Sequence, residues 1–300
     1  MVAAPNKSNI CAVVVTYHPD NNFPKRLLAV ASQIDAVVIV DNASGEDAVE
    51  TLRNAVSDVG AHILQNPKNI GIASALNRGV IWAKEHGYDW VLTLDQDTIL
   101  LDDDVVGTFA DVYDSCGMKL NIACIGSNYI DKLQEKPFID EKGEDDEPWA
   151  DAPTVITSGT LLSIAAAEKI GPFRDEFFID HVDDEYCLRA RRFDFVCIMT
   201  RRPLMVHTSG APRYHEFRGR RLITSHLPAI RRYYRTRNLV TLIREYRHTN
   251  PDWIRFAVTV RYKETLLMLL FERDKFQKTL AVLLGIFHGL IGRTGPLNKK

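Results

Sequence analysis

The sequence is short of the features that most directly betray a function. Five cysteines occur in 300 residues (Cys11, Cys116, Cys124, Cys187 and Cys197), an odd number with no CxxC spacing. Four of them stand among apolar neighbours, so they read as buried free thiols of a reducing compartment. The opening MVAAPNKSNI carries no apolar core of signal-peptide length and no small-residue cleavage site after one, which predicts a cytoplasmic protein. No apolar run approaches the ~20 residues of a bilayer-spanning helix. Thr265–Phe271 is ended by Glu-Arg-Asp-Lys, and Leu280–Ile291 is short and contains His288. Repeats of solenoid period are missing. With 46% hydrophobic and 25% charged residues, neither a disordered nor a collagen-like chain is indicated.

Charge is plentiful but unevenly placed. Residues 201–300 hold 21 Lys and Arg against 6 Asp and Glu, a net of +15, whereas the first 200 residues carry −17. A basic C-terminal third seeks phosphates, anionic lipid headgroups or nucleic acid, or else is a set of solvated helices. Arginines and lysines flanking Leu280–Ile291 suit an interfacial helix at a membrane surface as well as ordinary packing on the sheet. Nucleic acid ranks last as a partner, because the aromatics of this region lie among aliphatic residues and form no stacking series.

Periodicity predicts an α/β fold. Ile10–Val15 and Ala36–Val40 are β-branched apolar runs, read as buried parallel strands. Phe23–Ile34 between them has helical spacing, as does Gly71–Lys84 ahead of the strand Trp90–Leu94. The first hundred residues thus form a βαβαβαβ series resembling half of a doubly wound sheet. Strand segments are expected at Thr154–Ile156, Leu161–Ile164, Phe195–Met199 and Leu204–His207. From about His215 the chain is expected to be helical, with Tyr233–Arg247 and Trp253–Phe271 as long helices. The predicted division is a catalytic domain over 1–215 and a basic helical region over 216–300.

Three local patterns carry chemistry. Asp95 and Asp97 of Thr-Leu-Asp-Gln-Asp-Thr follow an apolar strand, where α/β sheets bind ligands. Two carboxylates spaced in this way can face one cavity and hold a hard divalent cation with positions left for phosphate oxygens; the bland alternative is a solvated acidic loop. Asp41 ends the second strand in the same manner and suits a pyrimidine N–H, unless Asn42 or Ser44 simply caps a helix. Asn69 and Gly71 open a helix whose free N–H groups suit a polar ligand. No GxGxxG follows the first strand; Thr16-Tyr-His-Pro-Asp stands there, against a Rossmann dehydrogenase.

The ordered series VVVTYHPD, IVDNAS, NPKNIGIASALNRG and LTLDQD resembles the nucleotide-binding half of glycosyltransferase family 2, which has the glycosyltransferase A fold. The Asn-Ile-Gly-Ile-Ala…Leu-Asn-Arg-Gly stretch and the DQD form look like the family's rhamnosyltransferase members. Similar segments (ITSGTLLS, FFIDHVDDEYCLRA, YYRTRN, GRTG) extend the resemblance over about residues 10–295. The resemblance implies roles. Thr16 and Asp41 line a nucleobase pocket with Asn69 nearby; Asp95 approaches ribose and metal; Asp97 and His207 bind Mg²⁺ or Mn²⁺. Asp183 is the base of an Asp-x-Glu-aromatic-x-x-Arg pattern completed by Glu185, Tyr186 and Arg189. Val182 stands where the family often has Glu, with Asp184 as the neighbouring carboxylate to test. Arg235 and Arg237 are candidates for a donor or acceptor pyrophosphate.

The resemblance therefore implies a metal-dependent inverting transferase. It would move L-rhamnose from dTDP-β-L-rhamnose to a lipid-linked cell-surface glycan, in contact with the cytoplasmic face of the inner membrane. The alternatives weighed are a family member using UDP-galactose or UDP-glucose, and a non-catalytic nucleotide-sugar binder.

Overall fold

The computed structural model describes residues 2–116, 121–143, 146–207, 212–217 and 219–297. The first hundred residues alternate as read from periodicity: β1 (Ile10–Thr16), α1 (Phe23–Ala31), β2 (Ala36–Asp41), α2 (Glu46–Val59), β3 (His62–Gln65), α3 (Ile72–Glu85) and β4 (Trp90–Asp95). β1 lies between β2 and β4, and β3 is beyond β2, every pair parallel. Buried on both faces, β1 sends Cys11, Val13 and Val15 into one core layer and Ile10, Ala12 and Val14 into the other, as a period-2 strand must. Register fixes the site from the outset. Thr16 sits opposite Asp41, and Val15 opposite Asp95, so three strands deliver polar residues to the same carboxyl-end rim.

Then follow β5 (Ile99–Leu100), α4 (Val105–Ser115), β6 (Ile122–Asp131), β7 (Lys136–Pro137), β8 (Trp149–Asp151), β9 (Thr160–Ser163), α5 (Ile164–Ile170), α6 (Val182–Arg192) and β10 (Val196–His207). The sheet runs β3-β2-β1-β4-β9-β6-β10-β5, with β7 on β6 and β8 on β10. β9 is antiparallel to both β4 and β6, which makes the sheet mixed. Two expectations are corrected. Thr154–Ile156 is not a strand, and the segments around Phe195–Met199 and Leu204–His207 are one strand, β10, continuous through register shifts opposite β6. Irregular pairing let one long strand read as two.

The chain does not turn helical at His215. A hairpin, β11 (Arg213–Phe217) and β12 (Arg220–Thr224), comes first. Helices α7 (Ala229–Tyr246), α8 (Pro251–Phe271) and α9 (Lys275–Leu290) follow it. Leu242, Tyr246 and Ile254 join the same hydrophobic core as the sheet and α3. Among the described residues no helix is long and apolar enough to cross a membrane.

Candidate active site

A cleft of about 620 Å³ opens along the rim set by β1, β2 and β4. Thr16, Asn69, Asp95, Asp97, Asp183, His207 and Arg235 all line it. Asp41 and Arg237 do not.

Asp41 is 1% exposed and forms the cleft's foundation. Its carboxylate accepts from Thr16 Oγ1 at 2.9 Å, from the Ser44 backbone N–H at 3.1 Å and from the Ser44 hydroxyl. Asp41 instead borders an adjoining concavity beside α2, with Ala43, Gln65 and Asn66. Ser44 and Asn42 cap no helix: Gly45 holds that position for α2 without a side-chain bond. Asn42 spans to the next loop, donating to Gly71 O at 3.1 Å and accepting from Asn66 Nδ2 at 2.9 Å.

The start of α3 offers fewer free donors than its sequence suggests. Asn69 Oδ1 accepts from Gly71 N, and Ile72 N donates to Phe178 O at 2.7 Å. Gly71 has φ +86°, and a Cβ there would lie 2.5 Å from that same carbonyl. Only glycine lets the Phe178 loop close on the helix.

The Asp95–Asp97 turn is clamped from both sides. Gln96 reads the backbone of Tyr17 twice, accepting from its N–H at 2.7 Å and donating to its carbonyl at 3.1 Å. Ser158 Oγ accepts from Asp95 N at 3.3 Å and meets Thr98 Oγ1 at 2.5 Å. The glutamine between the two acids thus fastens this turn to the end of β1. Asp95 itself is pushed up to about 6 by burial and then by the charge of Asp97, against the pull of Arg231. Burial pushes the His207 imidazole below its ordinary pKa, against Asp97 and Asp131. It is therefore neutral near pH 7, with a lone pair to offer.

Two carboxylates and a neutral imidazole in one cleft, with Asp95 carrying a destabilised charge, are a donor set suited to Mg²⁺ or Mn²⁺. They are not drawn together in advance. Among the described residues, the His, Cys, Asp and Glu side chains whose ligand atoms gather within 4.8 Å in a group of three or more are Cys124, Cys187 and Cys197. These three thiols are buried and free, as are Cys11 and Cys116.

Across the cleft, α6 begins after a strained approach: Phe178, Asp180 and His181 all have φ between 60° and 65°. Such non-glycine conformations persist only where surrounding contacts impose them. Here Asn238 Nδ2 donates to the carbonyls of Phe177, Ile179 and Asp180 at 2.8–3.0 Å. Arg237, 1% exposed, donates to Glu176 O at 2.9 Å and Phe177 O at 3.1 Å, and also to Gly295 O. The expectation that Arg237 meets a pyrophosphate does not match this placement, because its guanidinium is spent on holding the wall.

The sequence favours Arg235 and Arg237 within the arginine run that begins at Arg231, but it is Arg231 whose guanidinium binds Asp180 through two bonds of 2.7 and 2.8 Å while lining the cleft. It lies one helical turn before Arg235 on α7, a spacing that was available in the sequence. His181 has no role in the sequence reading. Its Nδ1 is 2.7 Å from Asp184 Oδ2, and its buried Nε2 has no partner among the described residues.

The adjacent acids of α6 differ. Burial raises Asp184, but His181, a Thr154 hydrogen bond and the Arg235 charge outweigh it and leave the group below its usual range. Asp183 is driven well above that range by burial and by the charge of Asp184, against a bond from the Asp184 N–H at 2.9 Å. The rest of the acidic motif braces α6. Glu185, 1% exposed, accepts from Arg189 at 3.0 Å and from Tyr246 OH at 2.9 Å.

Comparison with known proteins adds to this geometry. Residues 11–171 match the family described as Glycosyl transferase family 2. The chain is 30% identical over 306 residues to the dTDP-rhamnosyl transferase RfbF of Shigella flexneri, covering 96% of this chain and 97% of that one. Its fold is similar to that of the mannosyltransferase PcManGT from Pyrobaculum calidifontis in complex with GDP-Man and Mn²⁺. The TM-score is 0.57 at 16% identity, over 97% of this chain and 90% of that one. Residues 1–349 of S. aureus TarS in complex with UDP-GlcNAc give a TM-score of 0.54 at 12% identity, over 94% and 81% of the two chains.

Proposed function

The chain belongs to glycosyltransferase family 2, and from that premise we propose that it is an inverting rhamnosyltransferase using dTDP-β-L-rhamnose as donor. Its acceptor is a hydroxyl of a lipid-linked glycan at the cytoplasmic face of a membrane. The observation that carries this reading is a single cleft lined by Thr16, Asn69, Asp95, Asp97 and His207 on one side and by Asp183, Arg231 and Arg235 on another. The donor identity rests on the relative that is similar along almost its whole length.

In this proposal Thr16 borders the nucleobase end, with Asp41 fixing it from below, and Asn69 lies alongside. Asp95, Asp97 and His207 hold Mg²⁺ or Mn²⁺, which when bound supplies positive charge beside the departing diphosphate. Arg235 and Arg231 add fixed positive charge that needs no reorganisation during the reaction. Asp183 accepts the proton of the acceptor hydroxyl. That oxygen bonds to the anomeric carbon as the bond from carbon to phosphate oxygen breaks, and the electron pair leaves with the nucleoside diphosphate. Configuration inverts in this single displacement. A carboxyl whose pKa is raised is the stronger proton acceptor once ionised, which favours Asp183 over Asp184, an acid already engaged by His181. Residues 1–215 supply donor and base, while 216–300 supply the arginines and the wall behind them.

The test is a donor panel. Purified protein is incubated with dTDP-rhamnose, UDP-galactose or UDP-glucose and extracted lipid-linked glycans, and products are detected by mass spectrometry. A rhamnosylated product from the first donor alone is expected. Preference for another donor would overturn the sugar assignment, and no product from any would leave a nucleotide-sugar binder.

A further inference from the structure

Helix α9 presents its apolar side outward. Phe276, Leu280, Leu283, Phe287, Leu290 and the following Ile291 fall on one face and are 56–81% exposed. No charged or polar residue interrupts that stripe. The opposite, buried face carries Lys278, Gly285, His288 and Gly289, the reverse of an ordinary surface helix.

The helix cannot turn this stripe inward. A Cβ at Gly285 would lie 2.7 Å from Tyr233 O, and one at Gly289 2.6 Å from Val240 Cβ, so α9 is seated directly on α7. His288 Nδ1 meets Tyr233 OH at 2.8 Å, and Lys278 donates to Glu272 at 2.8 Å within a buried group that includes Arg232. These polar bonds lock the rotation. A row of exposed apolar residues on α8, Tyr262, Leu266 and Leu270, repeats the pattern with Lys263 beside it.

We infer that the outer face of α9 docks on an anionic lipid bilayer, the helix lying in the plane of the interface. Continuous apolar patches of this kind mark an interaction surface. Charge decides which one. Arg273 and Lys275 stand at one end of the stripe and Arg293 at the other, all exposed, in a third of the chain that carries a net of +15. Anionic headgroups are attracted to such a rim. A second copy of the chain would bring an equally basic surface against it. The rise of an α-helix makes α9 about 24 Å long, enough to lie across the interface and too short to span the hydrocarbon core. The docking surface is argued independently of the donor; it deepens the proposed function by bringing the cleft to lipid-linked acceptors, and in that it rests on the reading above.

The test uses the purified full chain and sucrose-loaded vesicles of phosphatidylcholine with or without phosphatidylglycerol. Wild type is expected to sediment with the anionic vesicles, less so as salt is raised. The double variant Leu283→Asp/Phe287→Asp is expected to lose about tenfold or more in partition. Arg273→Glu/Lys275→Glu is expected to lose the preference for anionic vesicles. Both should keep wild-type melting temperature and donor turnover in vesicle-free buffer. As a reporter that leaves the fold undisturbed, Phe276→Trp is expected to shift its emission to the blue on vesicle addition and to be quenched by brominated lipid. Equal binding by the double variant, an unshifted tryptophan, or a dimer in sedimentation that Leu283→Asp dissociates would each overturn the inference. Vesicle binding by a protein that turns over no donor would leave docking intact and sink the transferase reading; turnover without vesicle binding would do the reverse.

Discussion

Asp183 and Asp184 are neighbours in the chain, yet their surroundings drive their carboxyl groups in opposite directions. If Asp183 is the base, it must be ionised to act. Burial and the Asp184 charge raise its pKa, so the active form is lost as pH falls through a value above the ordinary carboxylate range. The pH profile of kcat/KM is therefore expected to show an acid limb above that range, and Asp184→Asn should move the limb to lower pH. Asp183→Asn should lower kcat by about 10²–10⁴-fold with little change in donor affinity by calorimetry. Turnover at the normal rate would remove the assignment. Asp95, Asp97 and His207 share one cleft without being closed on one another. Chelation with EDTA is accordingly expected to stop transfer, and Mg²⁺ or Mn²⁺ to restore it; full activity in chelator would refute a metal role.

At the scale of elements, α7 shapes the wall that α6 and its approach present to the cleft. Asn238 donates to three carbonyls of a segment with positive φ at Phe178, Asp180 and His181, sharing that of Phe177 with Arg237. Asn238→Ala would remove this donor from the Ile179 and Asp180 carbonyls, while Phe177 O keeps its bond from Arg237, at a cost of about 1–3 kcal/mol. Urea denaturation should register that loss, and the variant's kcat should fall because Asp180 no longer holds Arg231 in place. Unchanged stability would mean that water replaces the amide. Part of this was legible beforehand. The run Arg231–Asn238 is arginine-rich, and its arginines look equivalent in sequence. Helical geometry separates them: positions 231 and 235 share the face toward the cleft, 237 points into the wall, and Arg232 pairs with buried Glu272 at 2.6 Å.

For the whole molecule, the C-terminal helices share a hydrophobic core with the sheet. Leu242, Tyr246 and Ile254 belong to the core around β1 and α3, and Tyr246 bonds Glu185 of α6. Ending the chain after Thr224 would expose side chains worth ~1.5–3 kcal/mol each in a protein whose total margin is ~5–15 kcal/mol. The truncated chain is expected to be poorly folded, as judged by circular dichroism and solubility. A cooperative melt from it would establish two independent domains. The charge division, −17 in the first 200 residues and +15 beyond, matches the docking on anionic lipid inferred above.

The sequence by itself determined the βαβαβαβ half, because strand and helix periods are local and hydrophobic alternation reports them directly. It also determined which polar residues end those strands, and so the Thr16, Asp41 and Asp95 rim. Tertiary structure alone decided that β9 runs antiparallel through the sheet, that Arg231 and not Arg237 reaches the cleft, and that α9 turns its apolar face to the outside. Each of these depends on contacts between residues far apart in the chain, and a local pattern states only that a helix has two faces, never which one the rest of the molecule will cover.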